Sequence, residues 1–297
     1  MHCGGWIMAR FFIATDSSLI NTESHLTGEP MQVQTIAFFI NDPLMLPCVM
    51  QHYLPVFELL EPATSSAVGI AHFEMGEPLL AKVHPDTHSN PTANLSHIVG
   101  NAALVAVMGN GGESVHSYDL QPYRYRNWVF VMAGGLRSLP PEARAHLAIP
   151  EYIEANIRGE KVPEVLFHQY LAFLHRQGLL AGDRWDLSPL RKALAAALSH
   201  ENVWFGDSSG GHSLVLSDGR ILVGASIERS VHVHIIEGIG GCTACGQDVD
   251  GCPVDHGHVR GVVVVDTDRL PPQDWQTVGP GNIFQVDREF NFESFSL

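Results

Sequence analysis

Basic side chains are scarce in this chain of 297 residues: 17 lysines and arginines stand against 32 aspartates and glutamates, a formal net charge of −15. Nucleic acids and anionic membrane surfaces are bound by basic stripes that displace counterions, so neither is an expected partner. Cysteine is also sparse, five in all, and an odd, low count fits reduced thiols better than a disulfide framework. No apolar run approaches the roughly 20 residues that cross a bilayer. The first dozen residues lack the basic start and small-residue cleavage site of a secretion signal. A cytoplasmic protein is therefore expected. No Pro/Ser-rich or charged linker divides the chain and no repeat recurs, so a single domain is expected over 8–297, preceded by a short extension over 1–7.

What is present is enough apolar residue for a core, 45% of the chain. The stretch Gln121 to Leu136, QPYRYRNWVFVMAGGL, predicts a turn, an apolar strand over 128–132 and a small-residue turn at Ala133-Gly134-Gly135. Met8 to Thr15 reads as a strand, and Val33 to Ile40 is apolar again. Asn41-Asp42-Pro43 then carries a helix-start signature, with a helix ending near Pro55. Ala67 to Phe73 and Leu79 to Val83, separated by a Gly-containing turn, predict a hairpin, and His97 to Met108 predicts a buried strand.

Apolar residues at three- and four-residue spacing predict helices over 140–146, 150–157, 164–177 and 187–198. Strands return at 213–216, 221–225, 232–236, 259–265 and 283–286. Strands, then helices, then strands imply a layered α+β fold in which two antiparallel sheets stack between helices.

The sharpest local chemistry is Cys242-x-x-Cys245 followed by Cys252, His256 and His258. Soft and borderline ligands at that spacing, in a loop rich in glycine, suit a tetrahedral zinc site. Reduced thiols or a loop disulfide fit the same residues. His232 and His234 alternate on a strand and share one face. Cys3 would become an N-terminal nucleophile only after loss of Met1 and the bulky His2. The glycine-rich loops at 109–112 and 208–211 lack the lysine and the strand-to-helix context of a phosphate loop and read as connectors.

Five segments in order resemble one family. QPYRYRNWVFVMAG is similar to a signature of the form HPFRYGRWVFAHNG. MARFF, AVGIAHFEMGEPLLAK, GEKVPEVLFHQYLAFL and GPGNIFQVDREF match the start, a hairpin, a helix and the closing strand of the same proteins. These are the stand-alone class II glutamine amidotransferases. The resemblance implies their fold, the four-layer αββα sandwich of N-terminal-nucleophile hydrolases, an α+β architecture of two stacked antiparallel sheets between helix layers.

The resemblance also implies that the family's chemistry is missing. Its nucleophilic cysteine corresponds to Ala9, its carboxylate-gripping arginine to Met108 with Ala106 in place of a nearby histidine, and its Asn-Gly oxyanion pair to Ala133 and Gly134. The aspartate that holds the substrate amine corresponds to Val162, and the histidine of the signature to Gln121. Glutamine carries two charges whose desolvation without partners costs several kcal/mol, and one missing oxyanion donor alone costs roughly 10²–10³ in rate. The expectation is a catalytically silent protein with a binding or regulatory role. Its pocket is formed by Ala9, Arg10, Met108, Gln121, Met132, Ala133 and Gly134 and takes an apolar small ligand, unless a surface takes a protein partner; self-association into a homo-oligomer is compatible with either. No cofactor is expected apart from zinc at the Cys/His loop. Two other readings stay open: an enzyme with changed amide or metal-dependent hydrolytic chemistry, and an active glutamine amidotransferase whose motifs lie in another register.

Overall fold

A computed structural model of the chain describes residues 31–60, 67–83, 98–109, 116–180, 186–199, 204, 211–240, 256–267, 269 and 274–297. Ala9, Arg10, Cys3, Cys242, Cys245 and Cys252, the strand expected over 8–15 and the extension over 1–7 lie outside them.

Strand β1 (Gln32–Ile40) is apolar on both faces because both faces are covered. Ile36, Phe38 and Ile40 pack on one side, and Val33, Ala37 and Phe39 on the other. At its end Asp42 accepts a hydrogen bond from Leu44 N and opens a short 3-10 turn with Pro43 at its first position. That turn leads into α1 (Leu46–His52) and then α2 (Leu54–Leu60). Helix therefore resumes beyond the expected stop near Pro55. The proline sits in the first turn of α2, where its missing N–H has no carbonyl to serve.

The hairpin β2 (Ala67–Glu74) and β3 (Glu77–Val83) turns on Met75-Gly76, both at positive φ, as a two-residue turn of this kind requires. Strand β4 (Ala102–Met108) begins five residues later than expected. At Gly100 the chain runs so close to Phe73 that a Cβ would lie 2.5 Å from its carbonyl oxygen.

Two further expectations change in the central stretch. Tyr123–Tyr125 forms a short strand, β5, instead of a turn, and β6 (Trp128–Gly135) runs straight through the expected turn at 133–135. Four helices follow: α3 (Pro141–Ala145), α4 (Glu151–Glu154), α5 (Val162–Arg176) and α6 (Leu187–Leu198). The side chain of Asp186 caps α6 through Ser188 N. The closing strands are β7 (Ser213–Ser217), β8 (Leu222–Ser226), β9 (Val231–Glu237), β10 (Arg260–Asp266), β11 (Gln276–Val278), β12 (Asn282–Val286) and β13 (Phe292–Ser296).

The result is a mixed fold with one large antiparallel hydrogen-bonded network of 13 strands and several helices. One arm runs β11-β9-β10-β1, with β4, β2 and β3 continuing from β1; the other runs β6-β7-β8-β12-β13, with β5 beside β6. The arms meet where Gln32 and Val33 of β1 pair with Gly135 and Gly134 of β6.

Three apolar clusters fill the molecule. One joins α1 and α2 to Ile36, Phe38, Val263 and Val265 of the first arm. A second joins α5 and α6 to Phe130, Leu214, Leu216 and Val223 of the second arm. The third draws on both arms, with Val33, Ala37, Leu104 and Val264 from one and Val131, Val215, Leu222 and Phe284 from the other.

Candidate functional site

The junction of the two arms is also where the matched site residues gather. Along one edge of β1 the partner strand changes: β10 pairs as far as Thr35 with Asp266, and β6 takes over at Val33 with Gly134. On the other edge Val33 pairs with Met108, so Met108, Val33 and Gly134 form one row across three strands. Ala133 lies next to Gly134 and opposite Ser213 of β7.

Gln121 joins this group through its own side chain. Its Nε2 donates to Met132 O at 2.9 Å and its Oε1 accepts from Met132 N at 2.6 Å, while its backbone N–H points to Met108 Sδ at 3.4 Å. The β5–β6 ladder pairs Tyr123 with Phe130. Continued by two residues, that register sets Gln121 opposite Met132, and because the Gln121 N–H is turned to Met108 it is the carboxamide that takes up the N–H and C=O of Met132. Val162 reaches the same region, its N–H donating to Arg137 O at 2.9 Å.

The structure therefore brings together Met108, Gln121, Met132, Ala133, Gly134 and, close by, Val162. All are buried: Met108, Met132, Ala133 and Val162 are 1% exposed and Gln121 is 0% exposed. Met132 and Val162 belong to the cluster of α5 and α6, and Met108 to the cluster between the arms.

Sequence reasoning missed the polar groups at this junction. Asp266, 1% exposed, ion-pairs with Arg229 at 2.7 Å and accepts a hydrogen bond from the Ser213 hydroxyl. The Ser226 hydroxyl donates to Arg229 O at 2.5 Å, and Thr35, 2% exposed, stands opposite Asp266 in the ladder. A carboxylate this deep is tolerated because a guanidinium and a hydroxyl replace its water. The only signal in the sequence was an aspartate closing the apolar run GVVVVD.

His212, 2% exposed, covers Gly134. A Cβ on that glycine would fall 2.7 Å from the imidazole and 2.5 Å from Gly211 O. The ring's Nε2 lies 3.4 Å from Gly135 O and its Nδ1 4.0 Å from Glu228 Oε2. Burial holds this imidazole below the ordinary histidine range; the Gly135 carbonyl opposes the shift, and Arg137 and Arg229 add to it.

Of the proposed zinc ligands, His256 and His258 fall among the described residues. His256 is buried, and its carbonyl accepts from Ile239 N. His258 Nε2 lies 2.9 Å from Asp42 Oδ2, and its carbonyl accepts from Asn41 Nδ2, a contact that joins the end of β1 to the start of β10. Among the described residues no group of three His, Cys, Asp or Glu is placed to hold a metal ion. His232 and His234 do share the helix-facing side of β9. His234 Nδ1 lies 2.5 Å from Tyr53 Oη, and His232 Nδ1 3.3 Å from Thr277 Oγ1.

No helix among the described residues is long and apolar enough to cross a membrane.

No protein-family model and no curated protein sequence matches the chain. Solved structures do resemble it. A glutamine aminotransferase class-II domain protein from Silicibacter pomeroyi superposes with a TM-score of 0.52 at 18% identity, over 89% of this chain and 99% of that one. A predicted glutamine amidotransferase from Pseudomonas aeruginosa gives 0.51 at 13% identity, over 91% and 100%. Glutamine phosphoribosylpyrophosphate amidotransferase from B. subtilis gives 0.50 at 13% identity, over 89% of this chain but 49% of that protein. At these identities the likeness is one of fold.

Proposed function

We propose that the chain uses the class II glutamine amidotransferase fold, in its four-layer αββα form, for binding rather than for glutamine hydrolysis. The layered form is supported by the three clusters: one joins helices to each arm, and the third draws on both arms.

The silent reading rests on one observation, the state of the arm junction. Where a zwitterionic amino acid would need an arginine, an aspartate and paired oxyanion donors, the matched positions present Met108, Val162 and Ala133, each 1% exposed and packed. The charged groups at hand, Arg229 and Asp266, are paired with one another at 2.7 Å. Ser213 is a poor nucleophile here: it is fully buried and donates to a carboxylate already neutralised by Arg229.

The test is release of ammonia and glutamate from glutamine by the purified full-length chain. No release above the no-enzyme rate is expected, because the position matched to the nucleophile is Ala9 and those matched to the groups that hold the substrate's two charges are Met108 and Val162. Turnover that survives Cys3→Ala and is abolished by Ser213→Ala would overturn the silent reading and assign hydrolysis to the junction.

A further inference from the structure

A cleft of about 600 Å³ opens at the far end of β1 from the junction, within the ordinary size of small-molecule sites. Phe290 is the partly exposed ring of its lining, seated over the buried Phe39 and Phe73, and Asn41, Asn101, Arg220 and Arg288 supply its polar groups. The Phe39 and Phe290 ring centroids are 5.0 Å apart.

The backbone around the cleft is held in costly conformations. Phe290 has φ 65°, a left-handed value that bulky residues avoid. The β12–β13 turn imposes it: Asp287 Oδ1 accepts from the N–H groups of Glu289 and Asn291, Asp287 Oδ2 accepts from Asn291 Nδ2, and Phe290 N donates to Asp287 O. On the opposite lip, Met75 has φ 49° and is 97% exposed. Among the described residues four non-glycine positions have positive φ, and two of them line this cleft. Strain of this kind persists where the surroundings over-determine it, as the two turns do here, and it fixes the shape of the rim.

The loop carrying Arg220 is fixed as well. A Cβ on Gly219 would lie 2.5 Å from the Phe73 ring, so this turn rests flat on that buried ring. Asn101 Nδ2 donates to Gly219 O, and Asp218 Oδ1 accepts from Arg220 N. The charges that act on the exposed Arg288 guanidinium are those of Arg220, Asp218 and Glu289. Two guanidinium groups thus share one cleft in a chain of net charge −15.

We propose that this cleft binds a small organic anion with a planar apolar body, its carboxylate or phosphate held by Arg220 and Arg288 and its ring laid against Phe290. Guanidinium forks match the oxygens of both headgroups, and aromatic faces accept a flat body by offset stacking. The site is separate from the arm junction, so it stands whether or not the chain hydrolyses glutamine.

The experiment measures binding of 2-naphthoate, 2-naphthyl phosphate and the neutral naphthalene-2-carboxamide to the full chain by calorimetry. At least one anion should bind with a Kd below about 1 mM, and the amide at least tenfold more weakly. The variants R220Q and R288Q should each lose roughly tenfold, the scale of a charge-assisted contact, with unchanged circular dichroism, since both side chains are exposed. Naphthoate alone binding assigns a carboxylate ligand, and naphthyl phosphate alone assigns a phosphate. Failure of both anions to bind, equal binding of the amide, or binding indifferent to R220Q and R288Q overturns the proposal.

Discussion

Gln121 performs with a side chain what the neighbouring backbone cannot. Its carboxamide closes a two-bond ring with Met132, while its own backbone N–H is turned to Met108. Gln121→Leu keeps most of the volume but leaves a buried N–H and a buried C=O without partners, each costing about 1–3 kcal/mol. A loss of roughly 2–5 kcal/mol is therefore expected, read as a lower urea midpoint with an unchanged m value; a loss under about 1 kcal/mol would contradict the assignment. The apolar run Trp128 to Met132 was legible as a strand because burial on both faces writes itself into composition. The role of Gln121 was not, because its partner is 11 residues away and chosen by strand register. Asp266 is similar: GVVVVD marks a strand end, but nothing local says that Arg229 waits beside it.

At the scale of elements, β6 is the piece that couples the two arms, pairing with β7 up to Ala133 and with β1 at Gly134 and Gly135. Gly134 makes the handover at φ 109° with no room for a side chain. Gly134→Ala is expected to cost on the order of 3 kcal/mol from strain and overpacking together. Gly76→Asn, at the open tip of the β2–β3 hairpin where nothing lies within 4 Å of a new Cβ, should cost less than about 1 kcal/mol, since asparagine tolerates φ of 83°. Parallel urea melts of the two variants check the contrast, and equal losses would refute it. Helices α5 and α6 were readable to within two residues because an apolar stripe at helical spacing is a local property. Strands β11 and β13 were missed: both are largely exposed, at sheet edges, and carry no apolar run.

At the scale of the whole molecule, folding places several histidines out of water. Burial is the leading cause that lowers His168, His212, His232 and His234 from the ordinary range. Their folded-state pKa values lie below the unfolded value of about 6.5, so on acidification the unfolded chain takes up protons that the folded chain refuses. The associated stability is complete above about pH 7 and is lost as pH falls through about 6.5. Melting temperature at constant ionic strength should drop between pH 7.5 and 5.5, and a rise over that window would contradict the burial of these rings. Asp119 and Asp218 act in the opposite sense at lower pH: burial raises both carboxyls, so their contribution grows on acidification and limits the loss there.

Composition, charge and apolar periodicity determined by themselves that this is a mixed fold of strands, helices and strands, because burial and helix spacing are properties of neighbouring residues. The order of its segments carried the resemblance to class II glutamine amidotransferases, and the identities of Met108, Ala133 and Val162 carried the expectation of lost chemistry. Only the tertiary structure decided that Met108 and Ala133 meet at one junction of two sheet arms, that Arg229 and Asp266 neutralise each other beside them, and that a cleft with two arginines lies at the other end of β1. Those are contacts between residues tens to hundreds of positions apart, and strand register and packing choose them, not the local pattern along the chain.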